Sequence, residues 1–74
     1  MTVYDVICRM PTNELVTIED GKKGEILIDC DTVDRILAFD DTDSKIHNIV
    51  RNGKVFNICI GKVYGDLIIT ITRE

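Results

Sequence analysis

Apolar and polar positions along the chain fall largely into short runs with a period of two, the pattern of strands that bury one face. The opening stretch VYDVICRM places Tyr4, Val6, Cys8 and Met10 on one side, and Pro11 ends the run. ELVTIE and EILIDC flank DGKKG, whose Gly21 and Gly24 suit a turn, so these segments are expected to form a hairpin. Lys45–Arg51 and Lys54–Ile60 flank Asn52-Gly53, the dipeptide most favoured in a two-residue β-turn, and predict a second hairpin. A last strand is expected over Leu67–Arg73. The segment DTVDRILAFDD is ambiguous: Val33, Ile36 and Leu37 have helical spacing behind a capping Asp31 or Thr32, yet Arg35–Phe39 also reads as a strand, the reading favoured here.

Composition strengthens the strand reading. Twelve Ile, seven Val and seven Thr stand against four Leu and one Ala. β-Branched side chains are stiff about their first torsion and suit a pleated surface. The expected fold class is therefore all-β: a small antiparallel barrel or sandwich of about five to seven short strands, with one short helix around 31–39 as the alternative. Neither repeat nor linker divides the chain, so residues 1–74 are expected to form one domain.

A chain of 74 residues builds only a small core. In the last strand Leu67, Ile69 and Ile71 point one way, while Ile68, Thr70 and Thr72 point the other. Phe56, Ile58 and Ile60 are likewise expected to share a face opposite Val55, Asn57 and Cys59. One such face can fill the core. The second, represented by Ile68, Thr70, Thr72 and Val55, is expected to meet another copy of the chain, giving a homo-oligomer joined through strand edges. A heterologous protein partner, for which this acidic domain acts as an inhibitor or adaptor, is a further expectation.

Charge divides unevenly. Residues 1–44 carry four Lys/Arg and eleven Asp/Glu, whereas residues 45–74 carry five and two. The basic residues Arg51, Lys54 and Lys62, with Tyr64 beside them, define an alternative function, a small β-barrel nucleic-acid binder that stacks bases on an aromatic ring. In addition, RMPTNELVTIEDG resembles the opening of the carbon storage regulators, small dimeric β proteins that bind RNA. Met10 stands where that family has a basic residue and its later motif is absent, so no residue role is carried over. An overall isoelectric point near 4.8 opposes phosphate binding, and nucleic acid is expected not to be the partner. Capture of a small ligand between subunits is a third alternative.

Chemical constellations are sparse. Cys8, Cys30, Cys59 and His47 include the ligand types of a zinc site, but no closely spaced cysteine pair provides a chelating knuckle. Free thiols, buried or partly buried, are expected instead, with no metal and no cofactor. DDTDS starts like a calcium loop, then places Lys45 where an oxygen ligand is required and Asn52 where a carboxylate is required. GKKG lacks phosphate-loop spacing, and the single histidine has no nucleophile fixed beside it in sequence. The expectation is a non-enzymatic interaction module. No run is long and apolar enough to cross a membrane, and the acidic Asp5 does not suit a signal peptide, so a cytoplasmic location is expected.

Overall fold

The computed structural model describes residues 1–72; Arg73, the expected end of the last strand, lies outside the described residues. The elements are α1 (Val3–Ile7), β1 (Leu15–Asp20), β2 (Glu25–Thr32), α2 (Val33–Asp40), α3 (Ser44–Asn52), β3 (Lys54–Ile60) and β4 (Leu67–Thr72). Four strands form one mixed sheet in the order β2-β1-β4-β3. β1 runs antiparallel to β2 and parallel to β4, and β4 runs antiparallel to β3. This is a small α/β domain with an open sheet, not the all-β barrel or sandwich that the β-branched composition predicts.

Three segments read as strands are helices, each with a capping side chain; the second, α2, is the short helix around 31–39 that stood as the alternative, with Thr32 as its cap. Thr2 accepts a hydrogen bond from the Asp5 N–H, and the Asp5 carboxylate reaches back to the Thr2 N–H at 2.9 Å, a reciprocal cap that starts α1. Thr32 caps α2 through the Arg35 N–H, and Asp43 caps α3 through the Lys45 and Ile46 N–H groups. In α3 the apolar residues Ile46, Ile49 and Val50 are spaced by three and four, so one stripe meets the core. Packing of that stripe outweighs the modest helix propensity of its Ile and Val residues.

Asn52-Gly53 is the corresponding correction to the second hairpin. Gly53 follows the end of α3 with φ −69° and ψ 119°, an ordinary extended conformation rather than the left-handed one a type I′ turn requires. Its role is steric. A Cβ at this position would lie 2.5 Å from the Ile49 carbonyl oxygen and 2.8 Å from Ile71 Cδ1, so glycine allows the helix end to close onto β4. The first hairpin forms as expected, with β1 and β2 joined by a turn in which Gly24 has φ 68°.

The core lies between one face of the sheet and the helices. Val3 and Ile7 of α1, Val33 and Ile36 of α2, and Ile49 and Val50 of α3 pack with Val16, Ile18, Ile28, Ile69 and Ile71. Ile69 and Ile71 thus occupy the core as the alternation of β4 predicts. All three cysteines are free thiols, and Cys30 is half-buried as expected, whereas Cys8 and Cys59 depart from expectation in being exposed. Among the described residues no helix is long and apolar enough to cross a membrane.

Candidate association edge

The helices leave the β3 side of the sheet uncovered. β3 is a terminal strand of the sheet, and six of its seven residues are exposed, with only Val55 half-buried. Phe56 is 74% exposed, Ile58 41% and Ile60 65%; Val63 and Tyr64, in the connection to β4, extend this apolar surface. Lys54 and Lys62 bracket it in sequence, and both are exposed. Lysines at the margins of an apolar edge strand oppose indiscriminate pairing while leaving its centre open.

A bulge determines which side chains of β3 share a face. Val55 is opposite Ile71 and Asn57 is opposite Thr70, so Phe56 is an extra residue between them. Val55 therefore joins Ile58 and Ile60 on the helix-bearing face instead of lying opposite them, while Asn57 and Cys59 pair with Thr70 and Ile68 on the other face. At its start the outer edge of β3 is already occupied. The Val55 N–H donates to the Met1 carbonyl at 2.8 Å, and the Val3 N–H donates to the Gly53 carbonyl at 3.2 Å, making a short antiparallel bridge between Thr2 and Lys54. Beyond that bridge, Phe56–Ile60 form the remainder of an edge to which no described strand pairs.

Of the four residues predicted for the association surface, Ile68, Thr70 and Thr72 share one sheet face and Val55 lies on the other. Ile68 and Thr70 occupy the sheet face away from the helices; Ile68 is half-buried, and Thr70 is buried with its hydroxyl donating to Glu19 Oε1 at 2.8 Å. Thr72 is exposed on that same face, whereas Val55 packs against the core on the opposite one. The central part of the open face is polar and internally bonded. Thr17 donates its hydroxyl to the buried Asp66 carboxylate and accepts from the Cys30 N–H at 3.0 Å. Cys30 takes φ +46° there, an uncommon conformation for a residue with a Cβ. Burial, followed by the Asp66 charge, pushes its thiol pKa up.

Sequence alternation assigns Phe56, Ile58 and Ile60 to the core, and so misses them as surface residues. The usable signal is their enclosure between Lys54 and Lys62, together with the unneeded apolar residues of the following connection.

A second cluster joins the helices. Asp40, at the end of α2, has a side chain only 2% exposed, and Arg51 of α3 contacts its carboxylate through Nε at 3.1 Å and Nη2 at 2.7 Å. The Arg51 guanidinium lies 3.7 Å from the centre of the Tyr4 ring, linking α1 to the same centre. His47 places Nδ1 3.2 Å from both the Asp40 carboxylate and its backbone carbonyl. Hydrogen bonding from Arg51 lowers the Asp40 pKa against the opposing effect of burial. Beside it, Asp40–Ser44 and His47 line a shallow depression of about 270 Å³.

This cluster bears on the basic residues of the nucleic-acid alternative. Arg51 is committed to Asp40 and Tyr4, and hydrogen bonding to Asp40 raises its pKa further. Lys54 begins β3, while Lys62 and Tyr64 follow its far end. At the usual rise of roughly 3.3 Å per residue the two lysines are separated by most of a strand's length, so these four residues do not form a compact patch. No group of three or more potential metal-ligating side chains forms a metal site among the described residues. Comparison with protein families, with curated proteins and with solved structures finds no match.

Proposed function

We propose that the protein is a non-catalytic interaction module that self-associates by strand addition at β3. The observation that carries this reading is the exposure of Phe56, Ile58 and Ile60 on a strand whose outer edge, beyond the Thr2 bridge, pairs with no described strand. Such an edge offers unsatisfied backbone donors and acceptors together with apolar side chains, the two components of strand addition. A second copy of the chain supplies matching chemistry, because it carries both another sheet edge and an acidic surface to meet Lys54 and Lys62. Burying each large apolar side chain contributes roughly 1.5–3 kcal/mol when complete, so cover of Phe56, Ile58 and Ile60 adds to the strand-pairing hydrogen bonds in opposing the entropy lost on association.

Sedimentation of the unmodified chain across a concentration series tests this reading. The expected result is a mass above that of the 8.4 kDa protomer which rises with concentration. A monomer up to tens of micromolar would remove self-association, and co-purified nucleic acid with strongly salt-dependent binding would favour the alternative reading.

A further inference from the structure

We infer that the strand received by β3 is β2 of the next copy, so that the molecules associate head to tail; this rests on β3 being the association edge. β2 is the other terminal strand of the sheet, and its outer edge likewise has no described strand paired to it. Its composition complements β3. Glu25, Asp29 and Asp31 are its charged residues, and Ile26 is 55% exposed at its start. Lys54 and Lys62 are the charges at the ends of β3, with no acidic residue between them.

Direction agrees with charge. β2 is antiparallel to β1, β1 is parallel to β4, and β4 is antiparallel to β3, so β2 and β3 point the same way. A second copy set edge to edge, with its helices on the same side, therefore presents β2 parallel to β3. The Met1–Thr2 bridge occupies the Lys54 end, leaving Phe56–Ile60 to pair. In a parallel arrangement the free end, followed by Lys62, meets the end of β2 that bears Asp29 and Asp31; Asp31 already pairs with Arg35 at 3.4 Å, so the complementarity rests on Asp29. Lys22 and Lys23, in the turn before β2, fall towards the end already bridged. Pairing β3 with β3 would instead bring lysine-bracketed edges together, and pairing β2 with β2 would juxtapose acidic ones; both incur like-charge repulsion.

A head-to-tail contact uses two different surfaces of each molecule, whereas a two-fold contact uses one surface twice. Charge exchange separates them. One variant carries Ile58→Glu and Ile60→Glu on β3; the other carries Ile26→Lys and Asp29→Lys on β2. All four positions are exposed, so circular dichroism of both variants is expected to match the unmodified chain.

Each variant alone is expected to lose assembly by at least roughly ten-fold in concentration, because an acidic β3 then faces an acidic β2, or a basic β2 faces the lysine-bracketed β3. Mixed in equal amounts, they are expected to reassemble, since each altered edge then finds an oppositely charged partner. Retained assembly of the β2 variant alone would overturn the head-to-tail arrangement and leave self-association through β3 standing. Failure of the mixture to reassemble would also overturn it. Retained assembly of the β3 variant, or a monomeric unmodified chain, would overturn the use of β3 altogether.

Discussion

Ile58 and Ile69 are direct cross-strand partners on the same face of the sheet, yet Ile69 is completely buried and Ile58 is 41% exposed. The contrast extends to their strands. β1 and β4 occupy the centre of the sheet beneath the helices, while β3 occupies a side that the helices do not cover. Apolar content does not distinguish them: KVFNICI on β3 is at least as apolar as LVTIED on β1. Location in the sheet decides which apolar residues become core and which become available surface. The helices bury the core-facing residues of β1 and β4, while Phe56, Ile58 and Ile60 of β3 stay exposed.

The strongest way to break the comparison is to put the same charge on both partners. Ile69→Lys is expected to unfold the domain, because an unpaired ammonium in the core costs more than about 4 kcal/mol, comparable to the lower range of small-domain stability. Loss of the circular dichroism spectrum would record it.

The next largest effect is expected where the helices that cover the centre of the sheet are tied to one another. Asp40→Asn removes charge-assisted hydrogen bonds with Arg51 and should cost about 1.5–3 kcal/mol in denaturant unfolding. Because the folded Asp40 pKa is depressed, its contribution is present above the unfolded carboxylate value and is lost as pH falls through the folded value. The unmodified chain should therefore lose its stability advantage over Asp40→Asn when titrated from neutral pH to below about pH 4. A difference between the two that did not change over this range would contradict the assigned role.

A smaller change sharpens the origin of α3. Asp43→Ala removes the cap on the Lys45 and Ile46 N–H groups and is expected to cost about 1 kcal/mol. Smallest of all is the effect of Ile58→Lys on folding. In dilute solution, where the chain is monomeric, it should change stability by no more than about 0.5 kcal/mol, as for other surface substitutions. A cost similar to that of Ile69→Lys would remove the distinction between centre and edge.

The sequence was most legible where local pattern and final environment agree. DGKKG joins β1 to β2, and the alternation in β4 sends Ile69 and Ile71 into the core. Legibility failed where a cap and a tertiary stripe outweighed β-branched composition. Thr2, Thr32 and Asp43 begin three helices, and the spacing of Ile46, Ile49 and Val50 was available in the sequence as a helical signal beside the more prominent Asn52-Gly53. The proposed association surface was legible only as an excess of apolar residues. Its location depends on the unpaired residue Phe56, which moves Val55 to the face of Ile58 and Ile60, and on which strand the helices leave uncovered. Neither is a local property.

Amide hydrogen exchange at Phe56–Ile60, measured at low and high protein concentration, tests most directly whether this edge is covered by another copy. Protection of the outward-facing amides in this segment should increase with concentration, whereas protection in β4, already hydrogen-bonded on both sides, should change little. Equal exchange at Phe56–Ile60 across concentrations that span the tens-of-micromolar range would contradict association through β3.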